Sequence, residues 1–146
     1  MLETPHVALG AAIAVAIPNP LISIPLAFAS HFVLDMVPHW NPHINTEMKK
    51  FGKLTNPTLL IIALDLTFAI ILTCFVGKSD LNVYMAALAS ILPDIAEGPY
   101  FLFGLRNKYL SKVLKFQISI QGRAEMFWGL LTQILVIVAS LYWISL

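Results

Sequence analysis

The sequence predicts an all-α membrane protein, a polytopic bundle of about five apolar helices with one amphipathic helix at the membrane interface. Composition is the first reason, because 58% of the residues are hydrophobic, only 12% are charged and the mean hydropathy is +0.80. Soluble domains average about 25% charged residues, so this much apolar surface must face lipid or a very large partner, and we expect lipid. The second reason is that prolines, glycines and polar stretches divide the apolar residues into runs of helical length. We therefore expect one membrane-embedded helical domain, residues 1–146.

Charge and cysteine content narrow the classes of partner. The net charge of +1 gives no electrostatic basis for nucleic-acid binding, and the single cysteine excludes an intramolecular disulfide. We expect membrane lipid as the partner of the apolar surface, and the sequence does not indicate an oligomeric state.

The first two predicted helices are short. Thr4 is placed as the N-cap of a helix with Pro5 at its first position, and Pro18-Asn19-Pro20 then forces a turn. A second apolar helix covers about residues 21–37. The first helix reaches only about 20 Å, less than the ~30 Å hydrocarbon core of a bilayer. The pair is therefore either a re-entrant hairpin or two short crossings in a thinned bilayer.

The later segments are longer. Residues 57–77 contain Asp65 as their only charged residue, which fits a membrane-spanning helix. Another helix is predicted for residues 81–93, ending at a proline. Residues 97–123 mix aromatic, aliphatic and basic side chains, a pattern typical of a helix lying in the interface. Residues 124–146 form a last apolar helix, with Trp128 and Trp143 as interfacial anchors.

The nine lysines and arginines indicate the orientation. If each long apolar segment crosses once, all of them except Lys78 lie on the side of the N-terminus. Cytoplasmic loops carry an excess of Lys and Arg, so this side is predicted to be cytoplasmic. We expect a multi-pass protein of the cell (inner or plasma) membrane.

Histidines and acidic residues gather at the cytoplasmic end of the predicted bundle. The candidate site residues are His6, His31, Asp35, His39, Asp65, Asp94 and Glu125. Most of them end a stripe of small or polar residues four positions apart, such as His6-Gly10-Ala14, Ser23-Ala27-His31-Asp35, Asp65-Ala69-Thr73, Ala86-Ser90-Asp94 and Glu125-Gly129-Gln133. Small residues at this spacing let membrane helices pack closely, so these stripes should face inward and bring the ionisable groups into one cavity. The alternative is that the stripes only pack helices, and that a residue near a helix end such as Glu125 sits in the headgroup region.

The types of these residues favour metal binding. His31 and Asp35 are four residues apart and share one helix face, so both can reach one cation. Nitrogen and oxygen ligands suit zinc best, with manganese or iron as further options, and two ions are conceivable with this many ligands. An acid inside the membrane such as Asp65 is costly and usually has a partner or a function. We assign Asp65 or Glu125 the role of a catalytic base or of a residue that orients a ligand.

Three segments together resemble the bacterial membrane-bound metal-dependent hydrolases that are grouped loosely with zinc-dependent phospholipase C. They are "TPHVALGAAIA" near the N-terminus, "SHFVLDMVPHW" at residues 30–40, and "LPDI" at residues 92–95. The resemblance implies metal ligation by His6, His31, Asp35 and Asp94, with His39 as a further ligand.

The chain also departs from that family's pattern. The "LPDI" segment follows the "SH-x-x-x-D" segment, although the family often has the opposite order. Ala96 stands where the family's second acid is found, with Glu97 next to it. The family's histidine-rich "HRG-x-THS" segment is absent. One metal alone, replacement of the lost ligands by Glu97, Asp65 or Glu125, or a family member without activity would each accommodate these differences.

The functional prediction is a membrane-embedded metal-dependent hydrolase that acts on a phosphoester or lipid-headgroup substrate at the cytoplasmic face. One alternative is a metal-ion or proton transport subunit that uses Asp65 as a relay. Toward the side of the membrane opposite the N-terminus, the polar residues of the stripes are reduced to Thr73 and Gln133. This favours a one-sided pocket over a path through the membrane. The other alternative is a non-catalytic structural membrane protein.

Overall fold

The computed structural model describes residues 1–146 and contains seven α-helices and no β-strand, so the predicted all-α class is confirmed. The helices are α1 (Glu3–Ala16), α2 (Pro20–Met36), α3 (Ile44–Phe51), α4 (Asn56–Gly77), α5 (Leu81–Phe103), α6 (Lys108–Ile120) and α7 (Met126–Ser145). The only extended pairing is an isolated backbone bridge between His39 and Arg123.

Two predicted helix boundaries were wrong. Leu2, not Thr4, is the N-cap residue of α1, and Thr4 lies inside the helix with its hydroxyl bonded to Asp65. The fourth predicted helix does not end at Pro93, because α5 continues through Pro93 and Pro99 to Phe103. A helix can pass a proline at the cost of one backbone hydrogen bond, here the one that the Ala89 carbonyl would accept. The Pro93 carbonyl itself accepts a hydrogen bond from the side chain of Gln117 at 3.2 Å.

The polar connection after α2 contains a short helix that the sequence analysis did not predict. α3 begins after His43 and ends at Gly52, whose positive φ of 69° favours glycine. The region predicted as one interfacial helix, residues 97–123, is divided in the structure. Residues 97–103 are the end of α5, and α6 forms a separate amphipathic helix.

α1 is the central helix and packs against α2, α4, α5 and α7. Its small residues allow this, because alanines and one glycine let the neighbouring backbones come close. A Cβ atom on Gly10 would lie 2.9 Å from the Ala86 carbonyl oxygen and 2.8 Å from Ser90 Oγ. The adjoining core cluster is also made mostly of small side chains, namely Ala11, Ala14, Ala27, Val83 and Ala86.

The predicted inward-facing stripes are confirmed for most of their members. His6, Gly10 and Ala14 of α1 are buried. The same holds for the α2 stripe from Ser23 to Asp35, for Ala86 and Ser90 of α5, and for Gly129 and Gln133 of α7. Glu125, at the end of its stripe, is exposed.

Two helices, Asn56–Gly77 and Met126–Ser145, are long and apolar enough to cross a membrane. Most of the surface of both lies outside the packed interior. Pro20–Met36 is apolar but shorter. The two long helices match the two long spans predicted from the sequence, and the larger number of crossings is not confirmed.

The lysines and arginines are distributed unequally between the two ends of the bundle. Asn82 at the start of α5 donates to the carbonyl oxygens of Ile17 and Pro18, at 3.5 and 3.3 Å. The α1–α2 turn and the α4–α5 turn therefore lie at the same end of the fold. Lys78 is the one lysine or arginine in these two turns, and the other basic residues lie in or beside α3 and α6.

Candidate metal centre

His6, His31 and Asp35 meet in the interior of the bundle, where the side chains are fully buried at 0% exposure. His6 comes from α1, and the other two come from α2. Asp35 lies between the two rings, with Oδ1 3.4 Å from His6 Nε2 and Oδ2 3.5 Å from His31 Nε2. Asp94 of α5 completes the group, with Oδ1 3.6 Å from His31 Nε2. We call these four residues the His–Asp cluster.

The spacing of the His–Asp cluster suits a metal ion. Ligand atoms that surround zinc tetrahedrally at its usual bond lengths lie about 3.4 Å from one another. The separations of 3.4, 3.5 and 3.6 Å are close to this value. His6, His31 and Asp94 each offer one ligand atom within 4.8 Å of the other two.

His31 is held in one orientation by a contact to the backbone of α5. The Ser90 carbonyl oxygen lies 2.8 Å from His31 Nδ1. Because a carbonyl can only accept, Nδ1 carries a proton, and Nε2 faces the two carboxylates and, at 3.4 Å, Gln117 Oε1. Metal-binding histidines are usually oriented by such a contact to their other nitrogen.

Several polar atoms of the cluster are buried without a hydrogen-bond partner. They are both ring nitrogens of His6 and Oδ2 of Asp35. The other Asp35 oxygen accepts a hydrogen bond from the α-amino group of Met1. Buried polar groups are normally satisfied, and leaving one unsatisfied costs about 1–3 kcal/mol. A divalent cation bound between His6, His31 and Asp35 would satisfy one of the His6 nitrogens and Asp35 Oδ2, so the residues present fit a metal ion.

His39 lies beside the cluster, with Nε2 3.9 Å from Asp35 Oδ1 and Nδ1 2.7 Å from the Val37 carbonyl oxygen. Burial lowers the pKa of the His39 imidazole below its usual value. Its backbone holds the α6–α7 linker in place, because His39 N–H donates to Gly122 and His39 C=O accepts from Ala124 N–H.

The two predicted catalytic residues lie in different places. Asp65 faces the N-terminal segment, and its carboxylate accepts hydrogen bonds from the backbone N–H of Glu3 and from the hydroxyl of Thr4, both at 2.6 Å. Asp65 therefore anchors the start of α1, which carries His6. Glu125 is the exposed N-cap residue of α7 and does not line the cavity described below, so the structure does not bring it to the cluster.

A cavity of about 450 Å³ lies next to the cluster and is open on one side. Asp94 forms part of its wall, together with His39 and Asp65. Further polar side chains in the wall are Glu3, Asn41, His43, Glu97 and Arg123. Trp40, proposed from the sequence to stand with Asn41 at a substrate entrance, also lines it.

Sequence reasoning missed three contributors to the site. Glu3 lines the cavity and has a buried carboxylate oxygen without a partner; its position three residues before His6, on the same helix face, was the available signal. Gln117 is one of only two buried residues on α6 and bonds α5 beside Asp94. Arg123 was counted only as a basic residue of the interface.

Comparison of the chain with protein-family models, with curated proteins and with solved structures gave no match in any of the three. The functional argument therefore depends on the chemistry of the site.

Proposed function

We propose that this chain is a membrane-embedded metal-dependent hydrolase that cleaves a phosphoester, in a free substrate or a lipid headgroup, at the cytoplasmic face. The observation that carries the proposal is the His–Asp cluster, in which α1, α2 and α5 direct histidine and carboxylate groups at one point in the interior of the bundle. Such groups are costly to bury without a cation to bind them. The family resemblance supports the same assignment, because the four residues it implies are the four that meet.

The proposed ligands are His6, His31 and Asp94, with Asp35 between the two rings. Because all the donors are nitrogen or oxygen, zinc is the first candidate and manganese or iron are the alternatives. A divalent ion held there supplies Lewis acidity and lowers the pKa of a bound water molecule toward neutrality. His39 stands next to these ligands and is a further candidate.

The cavity beside the cluster supports a substrate of limited size with an anionic group. Glu3, Asp65 and Glu97 add carboxyl groups to its wall, and a phosphate bound there would need a cation or a basic side chain as its partner. Arg123 is the one arginine in the wall and makes no salt bridge, so its guanidinium is available to hold two phosphoryl oxygens. Hydrolysis would add water across one P–O bond and release an alcohol and a phosphate product.

The membrane location is supported by the two long apolar helices, α4 and α7. The mostly exposed side chains of these helices need an apolar environment. The basic residues lie at the end of the fold where the cavity opens, and only Lys78 is found in the turns at the opposite end. By the positive-inside rule, the cavity faces the cytoplasm.

Metal content is the direct test of the proposal. The detergent-purified protein, loaded with zinc, manganese or iron and dialysed, should retain about one or two ions per chain by elemental mass spectrometry. A His31→Ala/Asp35→Ala variant should lose them, whereas His43→Ala, which replaces an exposed histidine outside the cluster, should keep them. Elution volume and thermal unfolding would establish that the variants fold. Absence of metal from the folded wild-type protein after loading would overturn the proposal.

Loaded protein would then be assayed with para-nitrophenyl phosphodiesters. We expect hydrolysis that disappears in the double variant and persists in Lys78→Ala, which replaces an exposed residue at the opposite end of the fold. Bound metal without any hydrolysis would favour a role in metal binding or transport instead.

A further inference from the structure

Gln117 is a polar side chain buried on a helix whose other residues are mostly exposed. α6 packs against α2 and α5, and Leu114 and Gln117 are its only buried residues. The Gln117 residue is 1% exposed. Burying an amide costs free energy unless its oxygen and its nitrogen both find partners. The two partners of the Gln117 amide therefore indicate what this side chain does.

The Pro93 carbonyl fixes the orientation of the Gln117 amide. A carbonyl oxygen can only accept, so the atom of Gln117 that lies 3.2 Å from it is the amide nitrogen. The amide oxygen consequently faces the His–Asp cluster, where Oε1 lies 3.4 Å from His31 Nε2. Pro93 removes the helical hydrogen bond that the Ala89 carbonyl would accept, so the contact with Gln117 does not replace a lost bond of α5. Its consequence is the placement of the amide oxygen.

The Nε2 atom of His31 is surrounded by oxygen atoms. Asp35 Oδ2, Asp94 Oδ1 and Gln117 Oε1 lie 3.5, 3.6 and 3.4 Å from it. Ionised carboxylates and an amide oxygen are acceptors and have no proton to donate. A positive charge must therefore lie among these atoms, either as a proton or as a metal ion.

The separations fit a metal ion better than a proton. A proton shared between nitrogen and oxygen holds the two atoms about 2.7–3.2 Å apart, and a charged donor shortens this to about 2.7–2.9 Å. All three separations from His31 Nε2 are longer. They are close to the distance of about 3.4 Å between the ligand atoms of a tetrahedral zinc ion. Gln117 Oε1 is as near to Nε2 as the carboxylate oxygens are, so it belongs to the same set of ligand atoms.

We propose that Gln117 Oε1 is a ligand of the metal ion in the His–Asp cluster, and that the contact of its amide nitrogen with the Pro93 carbonyl aims it at the ion. This inference rests on the proposed function and adds α6 to the helices that hold the ion. Gln117 lies outside the three segments that carry the family resemblance, so the resemblance does not imply this role.

Three variants of α6 test the role of Gln117. Gln117→Met has a side chain of similar length and volume without the oxygen. Gln117→Glu keeps an oxygen at the same position and loses the group that donates to Pro93. Leu114→Ala is the control, because Leu114 is the other buried residue of α6 and has no polar side-chain atom.

The first measurement is the dissociation constant for zinc, obtained in detergent by competition with a fluorescent chelator. Gln117→Met should bind zinc about tenfold or more weakly, since even a residue that only orients a ligand contributes about 10–100-fold to affinity. Gln117→Glu should bind zinc at least as tightly as wild type, because a carboxylate oxygen is a zinc ligand and adds a negative charge. Leu114→Ala should keep the wild-type affinity.

Cobalt(II) provides a readout that a purely structural role of Gln117 would not change. Its visible absorption bands depend on the number and type of ligands around the ion. The bands should change in both Gln117 variants and stay as in wild type in Leu114→Ala. Elution volume and thermal unfolding of metal-free samples show which variants fold. If Gln117→Met does not fold, the comparison of Gln117→Glu with wild type decides.

Zinc binding by folded Gln117→Glu that is weaker than by wild type would overturn the inference, because the contact with Pro93 would then set the affinity. Equal affinities and equal cobalt spectra for Gln117→Met and wild type would also overturn it, as would an equal loss of affinity in Gln117→Met and Leu114→Ala. In these cases the wild-type protein binds metal, and the proposed function stands. If the folded wild-type protein binds neither zinc nor cobalt, the proposed function has failed, and the inference fails with it.

Discussion

The imidazole rings of His6 and His31 stack with their centroids 4.2 Å apart and their planes inclined by 20°. The two residues lie on different helices and are brought together because α1 and α2 pack through small residues. Two positively charged rings would repel at this distance. The pair is therefore suited to neutral rings whose nitrogens share a cation with Asp35 and Asp94.

Replacing His6 with alanine should weaken metal binding while the fold persists. Removal of a group that only orients a ligand typically costs about 10–100-fold in affinity, so loss of a proposed ligand should cost at least as much. Competition with a fluorescent chelator measures the dissociation constant. Unchanged affinity in His6→Ala would remove His6 from the ligand set.

Replacing Arg123 with glutamine should impair phosphoester binding without affecting the metal. A hydrogen bond to a charged group contributes about 1.5–3 kcal/mol, which corresponds to a rise in KM of about tenfold or more. Arg106→Gln is the control, because Arg106 is also exposed but lies outside the cavity. If both variants raise KM equally, the effect reflects general surface charge.

The topology can be tested with single cysteines in a Cys74→Ser background. Lys49 on α3 and Ser79 in the α4–α5 turn are both exposed and lie on opposite sides of α4 in the chain. A cytoplasmic cavity predicts that a membrane-impermeant maleimide labels Ser79→Cys in intact spheroplasts and labels Lys49→Cys only after lysis. The reverse pattern would place the cavity outside the cytoplasm.

Much of the helical framework could be predicted from the sequence, because prolines, apolar runs and small-residue stripes are local signals. The convergence of His6, His31 and Asp94 followed from those stripes, since small residues at a spacing of four show which face of each helix packs inward. The end of α5 could not be predicted in the same way. Pro93 is a strong local stop signal, whereas α5 continues past it in a bundle where it packs against α1 and α2, helices distant in sequence.

The roles of the acidic residues were also hard to predict. The sequence analysis assigned Asp65 a catalytic or ligand-orienting role because placing an acid within an apolar membrane segment costs free energy. In the structure its carboxylate is occupied by the backbone N–H groups of Glu3 and Thr4. Glu3 lines the cavity instead, and the sequence analysis did not use its spacing from His6 because it placed the helix start at Thr4.

The stability contributed by Glu47 should depend on pH. Its carboxylate accepts hydrogen bonds from the backbone N–H of Thr55 at 2.8 Å and from the hydroxyl groups of Thr55 and Thr58, and so caps α4. The Thr55 N–H lowers the pKa of Glu47 below its usual range. A lowered pKa in the folded state means that the stabilisation is fully present above the ordinary glutamate value of about 4.3. It is lost as the pH falls through the lower folded value.

Thermal unfolding of Glu47→Gln in detergent measures this effect. The variant should unfold at a lower temperature than wild type at neutral pH, and the difference should shrink as the pH falls below about 4. Glu125→Gln is the matched control, because the Glu125 side chain makes no capping hydrogen bond. A difference for Glu47→Gln that stays constant from neutral to acidic pH would contradict the capping role.

The close approach of α1 to α5 at Gly10 should make an alanine there destabilising. A Cβ atom at Gly10 would meet Ser90 Oγ at 2.8 Å and the Ala86 carbonyl at 2.9 Å. Gly10→Ala should therefore force α1 and α5 apart and destabilise the protein by about 1–3 kcal/mol. Unfolding in detergent measures the effect, and if Gly10→Ala proved as stable as wild type, the close packing of α1 against α5 would be contradicted.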